Sequence, residues 1–600
     1  MKNIIVFYCL LLFSSCSVNT QRDAKSTSQF LFKFGPKLSV INSISKKELK
    51  HHLTFIASDS LKGRAIGTPE METASNYLAA QLKSYGYKGL GKNNSFFQEV
   101  NLRKVNTDFK HVNFSYAGKS LNFKYGKDFV GYLWNTKLKT FKLPLYSVSS
   151  GYNTDSTNVY DVEKIKNHIP IYFDHYDTFA KTDSSLTMRH IRNLLFNEKA
   201  GLVIHVSDNK YRQKMNFEKY KISDVEGYLE FASETTESTF LDSSAYIVLT
   251  ESAFNKILKI EKQSSFNKKI DYEFKSELEV TFNPIEEKIN TRNVIAYIKG
   301  TDSTLSDEYV GIGAHYDHLG IGKDGKIFNG ANDDGSGVVS VLSIAKAFAK
   351  NPPRRSTFII FHTAEEGGLM GSKFFVNNSP IPLEKIISVT NMDMVGSNHD
   401  PEKIYIIGAD RISQDLHNIN EKINSKLNLI KLDYELNGRF HPERIYYRSD
   451  HYNYAKKEIP VIFYTDLDPD NYHKESDTVE KINFEKLLNV TKVAFSTSYY
   501  VANQPTRIKI SYPINPKFHS DFAKKYIGEY KFDNGFSIFV KYKNEHLVVF
   551  DINSLSHVEN HIFDQEGNKV EFSFGSDSTK AFSLDYSSHG TDINRAYRVK

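Results

Sequence analysis

Apolar residues recur at helical spacing from Lys46 to Leu61, stop at Gly63-Arg64-Ala65-Ile66-Gly67-Thr68-Pro69, and resume through Ala74, Tyr77, Leu78, Leu82 and Tyr85. Stripes of this period predict two amphipathic helices that cover a core elsewhere in the chain, and Pro69 suits the first turn of the second. Between residues 105 and 285 the texture changes. Short β-rich runs such as Ile169–Phe173 and Gly201–Val206 stand among long polar stretches, and a helix-like segment, Met188–Glu198, precedes the second run. From 286 to 505 the apolar runs Val310–Ala314, Phe358–Phe361, Ile386–Val389 and Val461–Tyr464 alternate with helical segments such as Val338–Ala349, which ends before Pro352-Pro353. Alternation of this kind predicts an α/β domain whose sheet is mixed and largely parallel, flanked by helices. The stretch 515–600 alternates around Asp533-Asn534-Gly535 and Glu566-Gly567-Asn568, which are hairpin turn signals, and predicts a small all-β C-terminal module. The division that follows is an N-terminal part of the main domain (44–104), a β-rich insert (105–285), the main α/β domain (286–505) and the β module (515–600).

Ahead of these elements, Lys2 is followed by the apolar run Ile4–Phe13 and by Ser14-Ser15-Cys16, which reads as a signal peptide, residues 1–16. The run is too short for a permanent span, which needs about 20 apolar residues. Its small-small-Cys ending resembles the bacterial lipoprotein cleavage box, with Phe13 in place of the usual Leu. That resemblance implies membrane attachment through a lipidated Cys16, a tether over residues 17–43, and an exported protein held at the cell envelope. Ser17 after the cysteine favours the outer membrane; plain secretion is the alternative. Cleavage there discards Cys9 and leaves no second cysteine for a disulfide.

Composition narrows the classes further. The chain's 600 residues exceed what one hydrophobic core serves, and 40% hydrophobic with 25% charged residues describes an ordinary globular protein. A net charge of +6 with scattered Lys and Arg lacks the clustered basic face that nucleic acid requires, so no nucleic-acid partner is expected. The oligomeric state is left open.

The chemistry-bearing residues fall in the main domain, close after its strands, where ligands bind in open α/β sheets. His315 and Asp317 stand two apart at a strand end, so both project to one side; one can bind metal while the other orients it. Asn329-Gly330-Ala331-Asn332-Asp333-Asp334-Gly335-Ser336-Gly337 places two adjacent acids in a Gly-rich turn, where they repel unless a cation offsets them, and one Asp can bridge two metals. The Asp-x-Asp-x-Asp-Gly spacing of a calcium loop is absent. Glu365-Glu366 can divide metal binding and proton transfer between neighbours, and Asp393 is a lone acid between Met392 and Met394 that needs a partner. His451 and His473 have equal claims, on spacing, to be the second imidazole.

Taken in order, His-x-Asp, Gly-Ala-Asn-Asp-Asp-Gly-Ser-Gly, Ala-Glu-Glu-Gly-Gly, Asn-Met-Asp-Met and the His473 segment resemble the co-catalytic zinc aminopeptidase family, which includes bacterial leucyl aminopeptidases, aminopeptidase Y and glutamate carboxypeptidase II. The match spans 45–100 and 290–500. The resemblance implies a zinc-exopeptidase fold and two zinc ions, one on His315, Asp333 and Asp393 and the other on Asp333, Glu366 and His473. It further implies a cis Asp333-Asp334 peptide, Glu365 as general base, Asp317 orienting His315, and, by spacing, Tyr446 steadying the oxyanion. The expected substrates are peptides with a free N-terminus. A glutaminyl cyclase-like transferase, a carboxypeptidase of acidic tails and a non-catalytic surface peptide-binding protein are the alternatives. The insert resembles a protease-associated domain, and the C-terminal module the β domain appended to some penicillin-recognising hydrolases.

Overall fold

The computed structural model describes residues 33–133, 140–148, 162–173, 200–207, 228–232, 245–267, 271–511, 518–532, 537–549, 553–559, 561–565, 568–574, 579–588 and 592–599. The signal peptide with Cys16, the first part of the tether, the segment Met188–Glu198, the turn Asp533–Gly535 and the Glu566-Gly567 pair lie outside the described residues. The chain forms two units, one from the chain up to Val100 with Thr291–Pro516 and the other from Asn101–Asn290 with Lys517–Lys600.

The first unit carries the site. It opens with helices α1 (Lys46–Ile56) and α2 (Pro69–Ser84). The Ser45 side chain caps α1 at the Glu48 N–H, and Leu49, Leu53 and Ile56 form its buried stripe. Thr68 caps α2 at Met71, with Pro69 in the first turn as the sequence predicts. The first helix ends at Ile56 rather than running on to Leu61. A 3-10 turn over Asp59–Arg64 replaces its last turn, and Lys62, Gly63 and Arg64 all take left-handed φ values.

The reason is Arg64. This turn carries its side chain into a fully buried position, where the guanidinium donates to the carbonyls of Ile56, Tyr316, Asn329 and Gly330 at 2.6–3.0 Å. One buried cation thereby satisfies four main-chain acceptors from three chain segments.

The sheet follows: β1 (Pro284–Ile298), β2 (Tyr309–His315), α3 (Gly337–Lys350), β3 (Ser356–His362), α4 (Met370–Asn377), β4 (Ile386–Met392), β5 (Lys403–Ile407), β6 (Lys431–Asp433), β7 (Val461–Thr465) and the long helix α5 (Phe484–Asn503). These seven strands of a ten-stranded sheet run in the order β6-β5-β7-β4-β2-β3-β1. The central strands β7, β4, β2 and β3 are mutually parallel, whereas β5 runs against β7 and β1 against β3, so the sheet is mixed and largely parallel. Helices α1, α2, α3 and α5 share one apolar core on one side, and a second core holds Phe358, Phe375 and Tyr454. The chain leaves β2 to β3 on one side and returns to β4 on the other, which makes the carboxyl end of β2 the switch point of the sheet.

In the second unit, the insert is an eight-stranded sheet in which Thr140–Ser147, Ile169–Phe173, Leu202–Ser207 and Ala245–Thr250 run parallel, with the helix Glu251–Glu261 following the last. Both β-rich runs of the sequence are among these strands. The C-terminal module is an antiparallel nine-stranded sheet with its own core around Tyr526, Tyr530, Phe563 and Phe572. Its two edge strands, Asn553–Ser554 and Ser556–Glu559, are consecutive in the chain, so the sheet curls back towards itself.

Replacing Arg64 with Met would strip four buried carbonyls of their donor. It is expected to destabilise the first unit by about 3 kcal/mol or more, read as a shift of its chemical-denaturation midpoint; an unchanged midpoint would contradict the role.

Candidate metal centre

Strand register brings the chemistry together. His315 is paired with His362 across β2 and β3, and Gly313 with Asn391 across β2 and β4. The residues just beyond these pairs, Asp317, Glu365, Glu366 and Asp393, therefore leave the sheet at one level. Ala364 and Met394, next to Glu365 and Asp393, have left-handed φ values, as does His473. These are uncommon for side-chain-bearing residues, and at Ala364 and Met394 they turn the chain sharply just after β3 and β4.

Two groups of ligand atoms result, each within 4.8 Å: His315, Glu365 and Asp393, and His318, Asp333 and Glu366. Asp333 belongs to the second group and also reaches the first. Its Oδ1 is 3.2 Å from His315 Nε2 and its Oδ2 is 3.2 Å from His473 Nε2. His315 Nε2 is also 3.6 Å from Asp393 Oδ1 and 3.8 Å from Glu365 Oε2, and His473 Nε2 is 3.1 Å from Glu366 Oε2. The structure thus brings His315, Asp333, Glu365, Glu366, Asp393 and His473 to one place. His451 is elsewhere, fully buried and stacked on Phe463, with burial pushing its imidazole down to about 3. Tyr446 is buried against Arg411 and His451, whereas Tyr472 stacks on His473 with centroids 3.9 Å apart. The Asp333-Asp334 peptide is cis.

The acids divide into two kinds. Three accept main-chain N–H groups and fasten the loops. Asp334 takes those of His315, Gly337 and Met394, tying β2, α3 and the end of β4 together. Asp477 takes those of Asn332 and Asp333. Asp317 takes those of Glu365 and Glu366. This last arrangement differs from the expected orientation of His315 by the Asp317 carboxylate. His315 Nδ1 lies 3.1 Å from the Asp317 main-chain oxygen and 3.8 Å from its Oδ1, because both carboxylate oxygens are turned to the Glu365-Glu366 turn.

The second kind, Asp333, Glu365, Glu366 and Asp393, has no main-chain donor among the described residues and faces imidazoles and other acids. Ser449 Oγ donates to Asp393 Oδ2 at 2.6 Å and is itself held by the Asn391 amide. Burial pushes Asp317 and Asp477 up to about 6. Burial also drives Glu365 well above the carboxylate range, with the Asp393 and Glu366 charges adding to it against His315. Asp333 goes the other way, since His315 and His473 outweigh its burial, and His473 is raised to about 10 by Asp333 and Glu366 despite its own burial.

This donor set suits a divalent metal. Imidazole nitrogens and carboxylate oxygens are among zinc's ligands in proteins, and the buried Asp333 Oδ2, although 3.2 Å from His473 Nε2, has no well-directed hydrogen bond. A cation there would replace the protons that hold these acids together.

Arg64, Ser449, Asp477, His318 and Tyr472 were given no role on sequence grounds. Asp477 and Tyr472 flank His473 closely in the chain, which was a usable signal; Arg64 carried none.

Residues 293–498 match the model of Peptidase family M28, so the family resemblance of the motifs holds for the segment that carries them. Leucine aminopeptidase 2 of Trichophyton rubrum is 28% identical over 269 residues, 40% of this chain and 52% of that protein. The chain spans about half the length of the curated relatives it matches. Among solved structures, an aminopeptidase from Aneurinibacillus sp. strain AM-1 is 20% identical, covering 79% of this chain and 97% of that one with a TM-score of 0.45. A zinc aminopeptidase from Bacillus subtilis is 16% identical, covering 78% and 98% with a TM-score of 0.42.

A Cβ at Gly337 would overlap the Met392 carbonyl and the Asp334 carboxylate. Gly337→Ala should therefore cost about 1–3 kcal/mol of stability and weaken metal retention together, measured by thermal unfolding with and without zinc. Wild-type values for both would contradict the fastening role of Asp334.

Proposed function

We propose that the chain is a zinc-dependent aminopeptidase that removes N-terminal residues from peptides, with two zinc ions sharing Asp333. The observation that carries this reading is the Asp333 carboxylate, whose Oδ1 faces His315 and whose Oδ2 faces His473, so that each oxygen serves one group of ligands. His315, Asp333 and Asp393 would hold one ion, and Asp333, Glu366 and His473 the other. Zinc at such a centre polarises a peptide carbonyl and lowers the pKa of water.

The chain's own residues do the rest. Glu365 opens the turn that carries Glu366, with its side chain 11% exposed and its Oε2 3.8 Å from His315 Nε2. It takes a proton from the water that attacks the carbonyl carbon, and gives that proton to the amine nitrogen as the C–N bond breaks. Asp317 holds the main chain at Glu365 and Glu366, which fixes the base relative to the ligand next to it. Ser449 keeps Asp393 turned towards His315.

By the same reading the protein is exported and anchored to the bacterial cell envelope through lipidated Cys16, and the insert is a protease-associated-like domain. The apolar run Ile4–Phe13 before Ser14-Ser15-Cys16 supports the anchor. No helix among the described residues is long and apolar enough to cross a membrane.

The purified chain is expected to cleave aminoacyl-nitroanilides and peptides with free but not blocked N-termini, to lose this activity to a chelator and to regain it with zinc. Glu365→Gln should lower kcat by about two to four orders of magnitude at unchanged metal content. Chelator-resistant cleavage, or wild-type turnover in the variant, would contradict the mechanism. Cleavage of blocked N-termini would favour a carboxypeptidase.

A further inference from the structure

We infer that His318 is a positioning residue for Glu366, whose Oε1 it holds through Nδ1–H so that Oε2 alone is left to bind metal. The inference rests on the two-metal reading above. His318 Nδ1 is 2.9 Å from Glu366 Oε1, while His473 Nε2 is 3.1 Å from Glu366 Oε2. Two imidazoles therefore take opposite oxygens of one carboxylate, and they are not equivalent. The His473 side chain is 35% exposed, whereas that of His318 is fully buried.

The His318 ring is fixed from behind. Gly330 has a φ of +57, and a Cβ there would come within 2.6 Å of the ring's Cγ and Cδ2. The His318 N–H donates to the Arg64 carbonyl at 3.2 Å, so the same arginine turn that fastens the loop also anchors this residue. The ring is fully buried and lies over Gly330, while its main chain is tied to the Arg64 turn.

A carboxylate free at both oxygens can chelate one ion with the pair or offer either. With Oε1 engaged by an N–H, the donor is Oε2, which faces His473, and His473 in turn faces Asp333 Oδ2. In metal sites a carboxylate commonly orients a ligating histidine; here a histidine orients a ligating carboxylate. His318 is not itself a ligand in this arrangement, because Nδ1, its nitrogen nearest the acids, carries the proton that Oε1 accepts. Nδ1 also stands 3.9 Å from Asp333 Oδ2, further than it is from Glu366.

The test is zinc titration of the metal-free full chain against a chromophoric chelator, for wild type, His318→Asn and His318→Leu. Asn keeps an N–H donor near the position of Nδ1; Leu keeps bulk and loses the donor. The inference expects Leu to weaken one of two zinc ions by about 10- to 100-fold, leaving the other within about threefold, and Asn to stay near wild type. Wild-type affinities in the Leu variant overturn it. Equal loss in Asn and Leu also overturns it, by making the imidazole a ligand. If the Leu variant loses both ions, the Asn variant decides: retention supports the inference and loss overturns it. A wild-type chain that takes up fewer than two zinc ions fails the two-metal reading itself, and this inference with it.

Discussion

The local structure of the first unit is organised around a concentration of negative charge that the interior does not tolerate unaided. Asp317, Asp333, Asp334, Asp393, Asp450 and Asp477 are buried, and Glu365 and Glu366 nearly so. Two like charges 4 Å apart cost about 4 kcal/mol at an effective dielectric of about 20, so a set of this density persists only where each member has a partner. The chain supplies partners of three sorts. Main-chain N–H groups serve Asp317, Asp334 and Asp477. Imidazoles face Asp333, Glu365, Glu366 and Asp450, the last opposite His362, and His315 with Ser449 faces Asp393. Arg64 sets one fixed positive charge in the field of Asp477, Asp334, Asp333 and Asp317. What remains is an acid-rich space between His315 and His473, and a divalent cation is the partner that fits it.

The fold produces this space through register. Because β2, β3 and β4 are parallel neighbours, their ends lie level, and each contributes its polar residues to the same edge. The three acids that bind main chain link the segments of this edge: Asp334 joins β2, α3 and β4, Asp477 joins the His473 loop to the Asp333 turn, and Asp317 joins β2 to the turn after β3. Neighbouring acids thereby take different partners: Asp334 accepts main-chain N–H groups whereas Asp333, next to it, faces His315 and His473.

Much of this was legible in the sequence, for reasons that also explain what was not. The strands were visible as apolar runs, and each proved a residue or more longer. Polar end residues such as Ser356 and His362 are buried in β3 with partners distant in the chain, Ser306 and Tyr454, which no local pattern reveals. The acids and imidazoles that the structure brings together were legible because they fall in short polar segments between the apolar runs and the helices, Asp333 just before α3 and Glu365, Glu366 and Asp393 just after β3 and β4. Spacing could not separate His473 from His451; burial does, since His451 stacks on Phe463 in an apolar core. Arg64 was unreadable because its acceptors Tyr316, Asn329 and Gly330 are more than 250 residues away and are carbonyls, which carry no residue identity. The same arginine shortened the first helix. The insert's strands were evident as β-rich, but their parallel pairing depends on neighbours that only the fold brings together.

The central claim is that one carboxylate joins two metal sites. Crystals of the zinc-loaded chain, measured on both sides of the zinc absorption edge, test it most directly. The account predicts two anomalous peaks about 3.5–4 Å apart, with one oxygen of Asp333 directed to each. A single peak, or two peaks with Asp333 bound to neither or to one alone, would contradict it.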